Sequence, residues 1–282
     1  MISVENLRFN YPGSTNFAIT DLNFSIEKGE IFGFLGPSGS GKSTTQKILY
    51  KLLNGYDGKA IIDQKELHEW GKELYSKIGV SFELPNHYLK LTALENLKFF
   101  GQFYDNTLDA SDLLDKVGLG KDANKKVGDF SKGMKVRLNF VRSILHSPEI
   151  LFLDEPTSGL DPVNAKIVKD LILDQKEAGK TVFITTHQMH DAEQLCDNVA
   201  FIVNGEIKAI DSPANLKLKH SSHKVEVLFT DELKPKVFEL EGLGQNPLFL
   251  KELENKQIKT IHSKEASLDD VFIKVTGEKL NS

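Results

Sequence analysis

The chain of 282 residues has one cysteine, Cys196, which excludes an intrachain disulfide framework and a cysteine-cluster zinc site and suits a reducing compartment. Its expected role is that of a small buried residue on a helix. No apolar run approaches the ~18 residues that a membrane helix requires; the longest are short, such as Val199 to Val203. The chain is therefore not expected to span a membrane by itself. The opening Met1-Ile2-Ser3-Val4-Glu5-Asn6 has no basic stretch leading into an apolar one, so a cytosolic location is expected. Basic charge is also in deficit, with 35 Lys and Arg against 40 Asp and Glu and a net charge of -5. That argues against a general nucleic-acid binder, whose affinity rests on neutralising phosphates with excess basic side chains. A local basic pocket for a small phosphate ligand remains open.

What is present is the composition of a globular protein, 40% hydrophobic and 27% charged. At roughly 150 residues per domain, the length suggests one large domain, or one with a small appendage. Residues 2 to 30 alternate apolar and polar (Ile2, Val4, Leu7, Phe9, Tyr11, then Leu22, Phe24, Ile26), as half-buried antiparallel strands do. Ile31 to Leu35, Ile150 to Leu153 and Val182 to Ile184 are nearly continuous apolar runs, which suit strands buried on both faces of a parallel sheet. Helical patterns separate them, so the centre of the fold is α/β.

From about 84 to 147 the strand signals vanish. Thr92 and Glu95 form a capping box opening a helix through Phe100, and Asp109 with Asp112 opens another that stops near Gly118. This stretch reads as a helical subdomain inserted in the core. A hairpin follows from Val199 to Ile210, turned at Asn204-Gly205. The expected division is a domain over 1–218 and a small one over 219–282. The latter holds a strand at Lys224 to Phe229, another near Ile258 to Ile261, and a last helix capped by Ser267 with Leu268, Val271, Phe272 and Val275 on one face.

Gly36-Pro37-Ser38-Gly39-Ser40-Gly41-Lys42-Ser43-Thr44 follows a buried strand and precedes an apolar helical stretch, the context in which G-x-x-x-x-G-K-[ST] has physical content. Glycines let successive backbone N–H groups converge on phosphate oxygens, and the following helix adds its positive end. Lys42 places a point charge on the β- and γ-phosphates, and Ser43 offers a hydroxyl to Mg²⁺. This motif alone leaves kinases, GTPases and motor ATPases open. Ile150-Leu151-Phe152-Leu153-Asp154-Glu155 is an apolar strand ending in two acids. Asp154 is the candidate for holding Mg²⁺, and Glu155, directed differently, for polarising the attacking water.

With these elements in place the sequence resembles the ATP-binding cassette family, the ATPase subunits of ABC transporters. Phe130-Ser131-Lys132-Gly133-Met134-Lys135 lies before a helix and about twenty residues ahead of the acidic strand, where that family carries L-S-G-G-Q. Ser131 and Gly133 fit, while Lys132 and Met134 depart. The resemblance implies that this segment serves the ATP held by an opposing subunit, packed head to tail; Ser131 is also a natural helix N-cap. Ser158-Gly159-Leu160-Asp161 resembles the D-loop at the dimer seam, with Asp161 before Pro162 also a good N-cap. His187 resembles the switch histidine that contacts the γ-phosphate, and Tyr11 the aromatic that stacks on adenine; without the resemblance Tyr11 is an ordinary strand aromatic. Ile78-Gly79-Val80-Ser81-Phe82-Glu83 occupies the place of the Q-loop, with Glu83 where the family usually has glutamine. A carboxylate is a good oxygen ligand, so Glu83 is expected to retain the metal or water contact.

The resemblance implies a P-loop NTPase core with a mainly parallel sheet, an N-terminal antiparallel β subdomain, an inserted helical subdomain and a small α+β extension. It implies an ATPase using ATP and Mg²⁺, with an integral-membrane permease and a second ATPase subunit, identical or paralogous, as partners and no nucleic acid. The location implied is the inner face of the cell membrane, held there through the permease. The S-K-G-M signature, Glu83 and the tail Ala266 to Phe272 resemble the bacterial drug, sodium and antibiotic exporter subgroup. A soluble cassette acting on DNA or ribosomes, and an importer ATPase, are the alternatives. The single phosphate loop, short insertion and acidic balance argue against the first.

Overall fold

The computed structural model describes residues 1–221, 224–263 and 266–278, which form two compact units, Met1–Ser212 and one from Pro213 to Glu278. Along the chain the first unit runs β1 (Ile2–Phe9), β2 (Ile19–Ile26), β3 (Ile31–Leu35), α1 (Lys42–Leu49), β4 (Asp57–Ile62), β5 (Lys65–Glu66), α2 (Leu74–Lys77) and β6 (Ile78–Ser81). It continues α3 (Ala93–Gly101), α4 (Ala110–Lys116), α5 (Lys132–Ile144), β7 (Ile150–Asp154), α6 (Pro162–Glu177), β8 (Thr181–Thr186), α7 (Met189–Leu195), β9 (Asn198–Val203) and β10 (Glu206–Asp211).

The alternating segments pair as expected, β1 antiparallel to β2, in a four-stranded sheet of order β2-β1-β4-β5. The continuous apolar runs β3, β7 and β8 are buried along their whole length and lie parallel in a six-stranded sheet of order β10-β9-β3-β8-β7-β6. All four neighbours β3, β8, β7 and β6 point the same way, so their carboxyl ends share one edge. The short β6 carries no apolar run. Gly79 lets it pass α5, since a Cβ there would lie 1.9 Å from the Ser143 carbonyl oxygen. The β9–β10 hairpin turns at Asn204 (φ 51°) and Gly205 (φ 77°), the left-handed pair that a tight two-residue turn requires.

The helical insertion also follows its caps. Thr92 and Glu95 close a reciprocal capping box on α3, Asp109 accepts from Ser111 and Asp112 N–H on α4, and Gly118 (φ 67°) ends that stretch. Cys196 is buried as expected but sits just past the end of α7. Packing between the two sheets rests on phenylalanines: Phe24 of β2 meets Phe34 of β3 at 4.9 Å, and Phe34 meets Phe183 of β8 edge-on at 4.9 Å.

The second unit comprises α8 (Pro213–His220), β11 (Lys224–Phe229), β12 (Lys236–Glu239), α9 (Pro247–Asn255), β13 (Ile258–Ser263) and α10 (Leu268–Thr276). Its sheet has the order β12-β11-β13 and packs Val225, Val227 and Phe229 against Phe249 of α9. Ser267 and Asp270 form a capping box on α10, whose Leu268, Val271 and Phe272 are buried. The unit starts at Pro213, six residues ahead of the expected residue 219, because α8 packs on α10. Residues 279–282 of the expected second domain lie outside the described residues.

Phe183→Ala removes a fully buried ring at the junction of both sheets. We expect a loss of about 3–5 kcal/mol in the stability of the first unit. A urea titration followed by the fluorescence of Trp70, the single tryptophan and part of the same core, measures it.

Candidate functional site

The phosphate-loop residues lie between β3 and α1, at the shared carboxyl edge of the sheet. Gly39 (φ 80°) and Gly41 (φ 104°) take left-handed backbone that curls the loop. Gly36 and Gly41 also admit close neighbours: a Cβ on Gly36 would fall 2.1 Å from the Ile202 carbonyl oxygen, and one on Gly41 2.8 Å from that of Ala18. The Ser40 carbonyl accepts from Gly205 N–H at 3.0 Å, so the hairpin braces the loop from behind. Ser38 is exposed, whereas Ser40 is buried with a hydroxyl that has no partner.

Lys42 folds back over the loop, its Nζ donating to the carbonyls of Gly36 at 2.7 Å and Pro37 at 2.9 Å. Burial pushes its pKa down, and the nearby carboxylates of Glu155, Asp154 and Glu83 work against that shift. Glu83, exposed after β6, is thus within electrostatic reach of the site. Ser43 Oγ donates to Asp154 Oδ1 at 3.1 Å, and the Thr185 hydroxyl donates to the same oxygen. Gln46 of α1 donates to the carbonyls of Leu153 and Phe183, tying the helix to both strand ends.

Glu155 has a left-handed backbone (φ 49°), unusual for a residue with a long side chain. The turn leaves its carboxylate buried between two partners on β8 and beyond. Oε2 accepts from Thr186 Oγ1 at 3.1 Å, while Oε1 accepts from His187 N–H at 3.1 Å and lies 2.7 Å from His187 Nδ1. Two acceptors at that distance need a proton between them, which places it on Nδ1 and leaves Nε2 as the ring's other polar edge. Tyr11 packs edge-on against Phe9 and its hydroxyl lies 3.0 Å from Thr44 Oγ1, with two-fifths of the residue exposed (40%).

Ser131, Gly133 and Asp161 form a second group. Ser131 caps α5, accepting from Met134 N–H at 3.2 Å, and Asp161 caps α6, accepting from Val163 and Asn164 N–H at 3.1 Å each. Bonds from Asn164 hold the Asp161 carboxyl below its usual range. The two caps are neighbours, because Gly133 faces Leu160 and Gly159 (φ 72°) faces the Lys132 side chain. Among the described residues, no hydrogen bond or ion pair joins this group to the phosphate loop.

Sequence reasoning did not find Thr157 and Asp191. Thr157, in the turn after Glu155, donates to the buried carboxylate of Asp191 on α7, which also pairs with Lys169 of α6 at 3.0 Å. The turn toward Asp161 and the helix after His187 are thus held together. The hydroxyls of Thr185 and Thr186 were equally missed as partners of the acids; two threonines closing an apolar strand were the available signal.

Beside Glu83, a groove of about 450 Å³ runs between β6, the loop that follows it, α3 and α5. Its walls include Phe82, Tyr88, Phe100 and Tyr104. The Tyr104 ring stacks on His146 at 3.8 Å.

Comparison with known proteins gives the family. Residues 19–158 match the ABC transporter family, and residues 223–265 match the fluoroquinolone efflux ABC transporter C-terminal domain. The chain is 52% identical over 284 residues to the fluoroquinolones export ATP-binding protein of Mycobacterium tuberculosis, covering 99% of this chain and 94% of the relative. It is 35% identical to the bacitracin transport ATP-binding protein BcrA of Bacillus licheniformis, with 92% of each covered. A solved ATP-binding cassette, in a dimeric post-hydrolysis state bound to ADP and Pi, superposes with a TM-score of 0.68 at 27% identity, covering 75% of this chain and 98% of that one.

The unpartnered Ser40 hydroxyl gives a test of the loop. Ser40→Ala should leave the ligand-free protein as stable as before or up to about 1 kcal/mol more stable, since a buried hydroxyl without a partner is a desolvation cost. It should weaken ATP binding about tenfold, the worth of one hydrogen bond to a charged group. Thermal melting and titration calorimetry read the two effects; lower stability with unchanged ATP affinity would make the hydroxyl structural.

Proposed function

The chain belongs to the ATPase subunits of ABC transporters, and from that membership we propose that the phosphate loop, Asp154, Glu155 and His187 form an ATP half-site powering a separate permease that exports antibiotic-like compounds. The observation that carries this reading is the placement of Glu155, fixed by Thr186 and His187 one residue beyond the acid that holds Ser43.

In this reading the loop N–H groups and Lys42 bind the β- and γ-phosphates, Lys42 exchanging the carbonyls of Gly36 and Pro37 for phosphate oxygens. Ser40 supplies a further donor, and Tyr11 supports the adenine. Glu155 accepts a hydrogen bond from the attacking water, orienting it in line with the γ-phosphorus. The proton it takes up leaves with the phosphate product. When its ring carries a proton on both nitrogens, His187 donates Nε2–H to the γ-phosphate while Nδ1–H stays on Glu155. Phosphoryl transfer needs mainly positioning and charge neutralisation, which these groups provide.

The donor set suits Mg²⁺. Among the described residues no three His, Cys, Asp or Glu side chains converge as a metal cage, so the ion would draw on the Ser43 hydroxyl, Asp154 and the substrate's own oxygens. Bound there, Mg²⁺ supplies neutralisation of phosphate charge. Glu83 is the additional carboxylate that we assign to the ion or its water.

Ser131, Gly133 and Asp161 lie apart from the phosphate loop, so we assign them to the ATP of a second ATPase subunit packed head to tail. ATP then closes the pair, and hydrolysis with phosphate release reopens it. Closure acts on a permease segment docked in the groove beside Glu83, whose walls include the aromatic rings of Phe82, Tyr88 and Phe100. The protein works at the cytoplasmic face of the cell membrane through that contact. No helix among the described residues is long and apolar enough to cross a membrane, so the transport path belongs to the permease. Export is favoured because relatives over most of the chain are named for fluoroquinolone export and bacitracin transport. Fluoroquinolones are the first substrate class to test.

Glu155→Gln keeps the size of the side chain and removes its basicity. Phosphate release should fall by about 10²–10⁴-fold, and an ATP-bound dimer should accumulate on size-exclusion chromatography. Monomer alone under saturating ATP would contradict the scheme. For the metal contact, Glu83→Gln and Glu83→Ala should each lower the ATPase rate and raise the Mg²⁺ concentration needed for half-maximal activity; if neither changes, Glu83 has no such role.

A further inference from the structure

Among the described residues, Arg142 of α5 is the one Lys or Arg lining the groove beside Glu83, and no Asp or Glu lines it. Its Nη1 donates to the Asn86 carbonyl at 2.6 Å, its Nη2 to Asn139 Oδ1 at 2.7 Å, and its guanidinium carbon lies 4.7 Å from the centre of the Phe100 ring. Every one of these partners is neutral. Burial pushes the Arg142 pKa down, and the charge interaction that opposes this comes from Tyr104, a group neutral at pH 7. The two imidazoles in the groove supply no anion either. His87 and His146 each place Nε2 on a main-chain carbonyl, at 3.0 and 2.9 Å, and burial lowers both pKa values, His87 to about 4.

A partly desolvated guanidinium without a carboxylate is an incomplete arrangement. It retains its charge at any physiological pH, and two of its five N–H donors satisfy the two bonds above. Three N–H donors remain for a further acceptor, and a carboxylate is the acceptor that a guanidinium binds most strongly. The surrounding aromatic walls lower the local dielectric, which strengthens such a pair and raises the cost of leaving it unmade. We propose that Arg142 recognises an Asp or Glu on the permease segment that occupies this groove, an acid flanked by apolar side chains. The inference rests on the assignment of the groove to the permease. It adds the charge that the segment must carry and the residue that reads it.

The chain is produced in its native host with p-benzoylphenylalanine at Tyr88, on the groove wall, and irradiated in membranes. The attached peptide is then identified by mass spectrometry. The expected product is a cytoplasmic segment of a membrane permease with an Asp or Glu within one helical turn of the linkage. Arg142→Gln should lower permease recovery with the tagged chain at least tenfold, Arg142→Lys should lower it less, and Arg142→Glu should recover it when the permease acid is changed to Arg. A permease segment without an acid, or a charge swap that restores nothing, overturns the Arg142 proposal while leaving the groove with the permease. Linkage to a second copy of this chain, or none to a permease that still copurifies, overturns the groove assignment itself. The charge swap and the linked peptide decide the matter even where Arg142→Gln folds poorly.

Discussion

The rest of this structure depends on holding one ammonium and two carboxylates together, largely out of water, before any ligand arrives. Lys42, Asp154 and Glu155 are all buried. Charges so placed cost several kcal/mol each unless they are paired and hydrogen-bonded. The parallel sheet answers this through register: Asp154 lies opposite Thr185, and Leu35 opposite Thr186, so strand-end hydroxyls and the phosphate loop reach one level. Each carboxylate then has a threonine of its own, and Lys42 rests on two carbonyls. The carbonyls are weaker partners than phosphate oxygens, so the ammonium is held in place without being satisfied as an ion would satisfy it.

The same economy explains why the signature group is set apart. Ser131 and Asp161 cap their own helices, and the two segments meet where Gly133 adjoins Leu160 and Gly159 adjoins the Lys132 side chain. Each capping side chain is satisfied locally, and the helix termini they cap keep N–H groups of the first turn directed outward. A site of this kind is stable alone, which suits the role we propose for it, receiving a phosphate that another surface brings. Through Thr157, Asp191 and Lys169, the turn ahead of Asp161 is also tied to the helix that follows His187. In the proposed scheme, these contacts link the His187 side of the site to the Asp161 side within one chain.

Much of this was legible in sequence wherever the information is local. The apolar runs of β3, β7 and β8, the capping box at Thr92, the turn at Asn204-Gly205 and the glycine pattern of the phosphate loop each state their own conformation. Strand β6 was not legible, since four residues containing a glycine have no period to read; its strand character comes from pairing with β7. Likewise β12 forms because β11 offers it an edge. The polar partners of the acids were hidden for the same reason. Thr185 and Asp154 are 31 residues apart, Thr157 and Asp191 are 34, and neither pair follows from spacing along a single element. Arg142, on an amphipathic helix, reads as an ordinary surface cation until the groove around it is seen.

The left-handed backbone at Glu155 sets two kinds of selection against each other. Glycine, asparagine and aspartate are the residues most at ease at such a φ, and any of them would relieve a strain of order 1–3 kcal/mol. Every one of these replacements also shortens or deletes the carboxylate that reaches Thr186 and His187. With the role proposed for Glu155, a change here that relaxes the backbone is also one that costs turnover, so stability and activity pull in opposite directions at this position. A strained backbone that holds a long carboxylate, where a shorter residue would fold more easily, is what a chain arranged for its chemistry at the expense of its stability would carry.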